Sequence, residues 1–168
     1  CKQQAIVGII GLELDFLIGE TAEKLLLYAK NVAGYQELMR LSSTRMMAEE
    51  PQTLADYQID GENLIAVLPL DNLAESSENV LPNIVEKLKG EFYLGVSPTT
   101  EVADLPNDLA KIALHEVACL EATEAFAIKV MNHIQSGTQL PREELTNQLG
   151  DNYLVDMQSL LTRFTDEA

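Results

Sequence analysis

Tryptophan is absent, and aromatic residues make up only 5% of the chain. Basic residues are scarce too: 11 Lys and Arg stand against 27 Asp and Glu, a formal charge of -16. Nucleic-acid binding is driven largely by cations that neutralise phosphates. No Lys/Arg cluster is visible, so direct contact with DNA or RNA is not expected, and protein partners fit better. The acidity also serves solubility. Cysteine is limited to Cys1 and Cys119, which form neither a metal-type spacing nor a disulfide framework. A reducing, cytoplasmic setting is the expectation. No apolar run approaches the ~20 residues that span a bilayer. The polar start, Cys1-Lys2-Gln3-Gln4, does not read as a signal peptide.

Whole classes of chemistry lack their motifs. There is no Walker-type phosphate loop, no dinucleotide fingerprint and no Gly-x-Ser-x-Gly elbow. Histidine occurs only at positions 115 and 133. Hydrolytic metal clusters need several imidazoles and carboxylates converging on one point, and two histidines make that hard to build.

What is present suffices for one domain with a real core: 168 residues, 46% of them hydrophobic. Ala5 to Phe16 reads as a strand, with Leu12, Leu14 and Phe16 alternating against Glu13 and Asp15. A turn at Gly19 leads to a second strand, Lys24 to Ala29. Asn31 is a helix N-cap. Tyr35, Leu38, Met39 and Met46 then form one helical stripe that ends before Pro51. Leu64 to Leu70 reads as a buried strand, Asp71 to Asn79 as an acidic loop, and Leu81, Ile84, Val85 and Leu88 as a helix between Pro82 and Gly90. Phe92 to Val96 is a strand, Thr99 to Asp108 a loop, and Leu109 to Leu114 a strand. Phe126, Ala127, Val130, Met131 and Ile134 mark a helix closed by Gly137. Leu145 and Leu149 mark a short helix after Pro141. Met157, Leu160, Leu161 and Phe164 mark the last. This alternation predicts an α/β fold with a mainly parallel sheet or an open barrel.

Among the ionisable residues, Glu13 stands out, because it is placed near the C-terminal end of the first strand, where α/β barrels keep their chemistry. A solvated strand-end acid is the plainer reading. His115 and Glu116 are strand neighbours that point to opposite faces and cannot easily share a ligand. His133 suits the negative end of a helix dipole. Cys119 reads as a small packed residue.

Three segments together resemble the PHP domain of the bacterial DNA polymerase III alpha subunit. Ile9-Ile10-Gly11-Leu12-Glu13-Leu14 is similar to the family's P-I-I-G-x-E strand. Leu26 to Ser43, with Ala29-Lys30-Asn31 and Gly34-Tyr35 at its centre, is similar to L-L-A-K-N-x-x-G-Y-x-N-L-x-x-L-x-S and is the most specific match. Ile112 to Leu120 occupies the place of V-A-T-N-D-V-H-Y-L, and Ile134 to Leu140 follows the ending I-x-x-G-x-x-L. Leu64 to Leu70 fits the intervening strand.

The resemblance implies a distorted, incomplete (β/α) barrel, here lacking its first strands, with residues 1–168 as a single PHP-like domain and fragment of a much longer polymerase chain. Active members resemble metal-dependent phosphoesterases. Their early His-x-His pair lies upstream of this sequence, their late Asp-x-His pair corresponds to Glu116 and Ala118, and the strand after Gly61 ends in Pro69-Leu70-Asp71. Only Glu13 matches a ligand position. The pattern resembles the divergent alpha subunits of low-GC Gram-positive bacteria. It implies a structural, interaction-type domain with no catalytic, cofactor-binding or metal-ligating residue of its own, no cofactor and no membrane contact. Its partners would be the rest of the alpha subunit and other replisome proteins, or a second copy at an exposed sheet edge. Two alternatives stay open. One is a metal-dependent phosphoesterase or 3′–5′ exonuclease with Glu13, His115 and Glu116 as residual ligands. The other is a stand-alone acidic binding module or lipoprotein anchored at Cys1.

Overall fold

A computed structural model describes residues 7–18, 21–70, 84–86, 88, 91–97, 109–139 and 152–165. The chain divides into two compact units, residues 1–113 and 114–168.

The first unit is built on a five-stranded sheet in the order β1 (Gly11–Ile18), β2 (Thr21–Ala29), β3 (Leu64–Pro69), β4 (Glu91–Val96) and β5 (Lys111–Ala113). Only residues 19 and 20 separate β1 from β2, and so short a connection requires antiparallel strands. The register runs from Ile18 opposite Thr21 to Gly11 opposite Tyr28. β2 and β3 are also antiparallel, whereas β3–β4 and β4–β5 are parallel. The sheet is therefore mixed, not mainly parallel. Its ends, β1 and β5, do not pair with each other among the described residues.

β1 starts later than its apolar composition suggests. Residues 7–10 lie outside the strand. Their pairing partner runs out: β2 ends at Ala29, whose amide bonds the Ile10 carbonyl at 2.9 Å, and the chain then turns into a helix. At its other end β1 continues through Leu17, whose amide bonds the Gln52 carbonyl at 2.8 Å. β5 is shorter than the Leu109 to Leu114 span expected.

Period-two alternation places Leu14 and Phe16 of β1 and Leu25 and Leu27 of β2 on the core face. β3 is buried along most of its length, as its unbroken apolar run requires. Leu54, Tyr57, Ile59, Ile84, Leu88 and Leu94 complete the core. Residues 84–86 are helical, in keeping with the stripe Ile84–Leu88. The turn at Gly19, the acidic loop, the Thr99 to Asp108 loop and the Leu145–Leu149 helix lie outside the described residues.

Helix α1 (Val32–Met47) begins at Asn31, whose side-chain oxygen accepts the Gly34 amide at 3.1 Å. Its buried face is Gly34, Leu38 and Leu41. Of the expected stripe only Leu38 is inside; Tyr35, Met39 and Met46 are exposed. Periodicity finds a helix, but the face that packs is chosen by fit. A Cβ on Gly34 would sit 2.2 Å from the Asn63 carbonyl oxygen. Only glycine lets the helix lie this close to the loop before β3.

The second unit has a short 3₁₀ turn (Ala122–Glu124), α2 (Ala125–Ser136) and α3 (Met157–Thr165). Gly137 closes α2 at φ 67. Its amide bonds the Ile134 carbonyl while Thr138 N–H reaches the His133 carbonyl at 3.0 Å, a Schellman pattern. A short parallel bridge joins Cys119 to Tyr153. Among its described residues none is fully buried. Met131 and Ile134 of α2 and Met157 and Leu161 of α3, expected on packed stripes, are exposed.

Candidate functional site

Glu13 is the third residue of β1, so it lies toward the start of the strand and not near its C-terminal end. The outward face of the β1–β2 hairpin carries Glu13, Asp15 and Lys24. Register puts Lys24 opposite Asp15, one diagonal step from Glu13. The Lys24 ammonium uses that diagonal and meets the Glu13 carboxylate at 2.6 Å, with both side chains about half exposed. The carboxylate is thus paired with an amine in open solvent. That arrangement neutralises charge and supplies no electrophile or water-activating base.

His115 and Glu116 follow β5 and belong to the second unit. The His115 Nε2 atom lies 2.8 Å from the Tyr153 carbonyl oxygen, so it donates there and pins the Cys119–Tyr153 bridge. Ala118 and Cys119 donate backbone N–H bonds to the Asn152 carbonyl, and the Cys119 thiol points at the same oxygen from 3.4 Å. Tyr153 is held from its other end by Arg163, which donates to the phenol oxygen at 3.0 Å and stacks over the ring. His133 lies in the last turn of α2, with Nδ1 2.7 Å from the Thr138 hydroxyl. Each histidine therefore has a structural partner. Among the described residues no three His, Cys, Asp or Glu side chains are grouped to hold a metal ion.

The densest polar construction is instead the junction between β2, α1 and the loop 60–63. Lys30 N–H donates to the Asn63 carbonyl at 3.0 Å, and its ammonium pairs with Glu91 of β4 at 3.1 Å. The Asn31 amide donates to the Asn63 side-chain oxygen at 2.8 Å while its own oxygen caps α1. One turn on, the Glu37 carboxylate accepts the Asp60 amide at 2.7 Å and the Gly61 amide at 3.4 Å. Gly61 sits at φ 76, a conformation glycine adopts without strain. Arg40 donates to the Gln58 carbonyl. The segment Lys30-Asn31-Val32-Ala33-Gly34, centre of the most specific resemblance, is thus a clamp that docks one end of α1 on the sheet. Its chemistry is structural.

No family profile matches the chain. Relatives exist among curated proteins. The DNA polymerase III subunit alpha of Streptococcus pyogenes serotype M3 is 23% identical over 162 residues, which cover 96% of this chain. The DNA polymerase III subunit alpha of Halalkalibacterium halodurans is 27% identical over 159 residues, covering 82% of the chain. The chain spans 14% of the length of each. Among the described residues no helix is long and apolar enough to cross a membrane.

One residue escaped the sequence reading. Glu23 is 2% exposed on the core face of β2, and its Oε1 has no hydrogen-bond partner. It faces Phe16 in the ladder. On the other side of β1, the chain at Gln52 carries a second buried, unpartnered oxygen, Oε1. The signal for Glu23 was available: it alternates with Leu25 and Leu27, so period two places it inside.

Proposed function

We propose that the chain is a structural and interaction part of a DNA polymerase III alpha subunit, a PHP-like single domain without catalysis of its own, acting in DNA replication. The similarity over nearly the whole chain to alpha subunits supports this reading, and one structural observation carries its non-catalytic half. Glu13, which the resemblance matches to a ligand position, is paired with Lys24 at 2.6 Å on an exposed sheet face. A metal ligand must keep its lone pairs for the ion, and an ammonium there competes with any cation. The most specific motif serves the α1 clamp, which fits a scaffold. The proposed location is the cytoplasm, and the proposed partner is the rest of the alpha subunit.

An antibody raised against this chain tests the reading. It is expected to capture from the source cells a polypeptide about seven times as long, the ratio that the 14% coverage implies, together with primer-extension activity. Capture of only a polypeptide of 18.5 kDa would overturn the polymerase reading. Separately, the chain is expected to hydrolyse a phosphomonoester or single-stranded DNA no faster with added Zn²⁺ or Mn²⁺, and Glu13→Ala to change nothing. Metal-dependent turnover abolished by Glu13→Ala would restore the phosphoesterase alternative.

A further inference from the structure

Helix α1 has two apolar faces, and the fold uses only one. Gly34, Leu38 and Leu41 face the sheet. About a third of a turn away runs a second row: Val32 (72% exposed), Tyr35 (42%), Met39 (54%) and Met46 (82%). Val32, Met39 and Met46 recur every seventh residue, and Tyr35 holds the position three after Val32. This is the a/d spacing with which one helix packs along another. Single exposed apolar residues need no explanation, whereas a contiguous row does.

The polar groups around the row are arranged so that burial would cost little. The Ser43 hydroxyl donates back to the Met39 carbonyl at 2.9 Å. It therefore leaves no unpaired donor beside the row. Glu37 and Arg40 are engaged with the loop 58–61. Arg45 acts electrostatically on Tyr57. These charges are engaged away from the row, so none must be stripped of water there. Methionine adapts its shape to a partner at small cost.

Charge decides the occupant. Glu49 and Glu50 are exposed just beyond the C-terminal end of α1, and the helix dipole is negative there. The whole chain carries -16. A second copy would bring the same sign to the same place and be repelled. We propose that the outer face of α1 docks a basic amphipathic helix from another protein. Its apolar residues would lie along Val32, Tyr35, Met39 and Met46, and its Lys or Arg side chains would meet Glu49 and Glu50. The proposal stands on α1 and holds whether or not the polymerase reading does.

The probe is a fluorescein-labelled peptide of about three heptads, with Leu at a and d and Lys at the flanking positions, beside a twin carrying Glu instead of Lys. Anisotropy is read against the full chain at physiological salt. The Lys peptide is expected to bind, and Met39→Asp or Met46→Asp to weaken it about tenfold or more. Glu49→Lys with Glu50→Lys should weaken it too, and Met131→Asp in the second unit should leave it unchanged. Circular dichroism confirms the fold, with Met39→Ser as a milder variant. Three results overturn the proposal: no binding, equal binding of the Glu twin, or binding indifferent to Met39 and Met46, which marks general attraction to an acidic chain. Self-association in sedimentation velocity that Met39→Asp abolishes also overturns it, because the face would then belong to a second copy.

Discussion

Replacing Gly34 by Ala sets two principles against each other. Inside a helix the change should help, since Ala favours the helix over Gly by about 1 kcal/mol. Here the added Cβ would lie 2.2 Å from the Asn63 carbonyl oxygen, 3.2 Å from its carbon and 3.3 Å from the Ala29 Cα. All three are backbone atoms that no rotamer change can move aside. The helix must shift by about an ångström to reach ordinary contact. Overpacking of this kind costs about 1–3 kcal/mol. The shift also strains the bonds from Lys30 N–H and the Asn31 amide to Asn63, each worth about 1 kcal/mol. The steric and hydrogen-bond losses outweigh the propensity gain, leaving a net loss of about 2–3 kcal/mol. On a unit of this size that corresponds to a fall in Tm of about 10 °C or more. Urea unfolding followed by far-ultraviolet circular dichroism measures it. Two other glycines calibrate the series. A Cβ on Gly8 meets nothing within 4 Å, so Gly8→Ala should be neutral. One on Gly11 meets the Tyr28 ring at 2.8 Å, a side chain that can shift, and the Leu27 carbonyl oxygen at 3.1 Å, which is less tight than the 2.2 Å at Gly34, so its cost should fall between the two. A Gly34→Ala protein as stable as the parent, or more so, would refute the close approach of α1 to Asn63.

Tyr57 is fully buried and donates to the Asp15 carbonyl at 3.1 Å; burial pushes its phenol above the ordinary tyrosine range. The raised folded value means this stability is present below the unfolded pKa of about 10 and is lost as pH rises through the folded one. Tyr57→Phe should cost about 1 kcal/mol at neutral pH and flatten the alkaline end of a stability profile. Asp156 accepts the Ser159 hydroxyl at 2.7 Å and its amide at 3.0 Å at the start of α3, and the hydroxyl first, then the amide, hold its carboxyl below the usual range. Stability from a depressed carboxyl is present above the unfolded pKa and lost as pH falls through the folded one, so the helical signal of α3 should decline on acidification, and Asp156→Ala should remove that dependence. Glu23→Leu should stabilise the chain by about 1 kcal/mol or more, since it removes an acceptor that is buried without a partner; a marked destabilisation in urea would mean that Glu23 has a partner.

Local pattern carried most of the elements, because the periods of strand and helix are written in neighbouring residues. Alternation at Leu12, Leu14 and Phe16, the apolar run of β3, the cap at Asn31 and the stop at Gly137 could be read directly from the chain. Strand direction was not legible, since the strands read as Ala5 to Phe16 and Lys24 to Ala29 stood further apart, and only the structure extends them until two residues remain between β1 and β2. Tertiary structure alone decided the rest. It started β1 only at Gly11, where β2 turns away, and it chose which of two apolar rows on α1 packs, through a close approach that only Gly34 permits. It also gave Glu13 to Lys24 and His115 to the Tyr153 carbonyl. Those partners lie 11 and 38 residues distant, beyond the reach of any local period, and only the pairing of β1 with β2 and the Cys119–Tyr153 bridge bring them together.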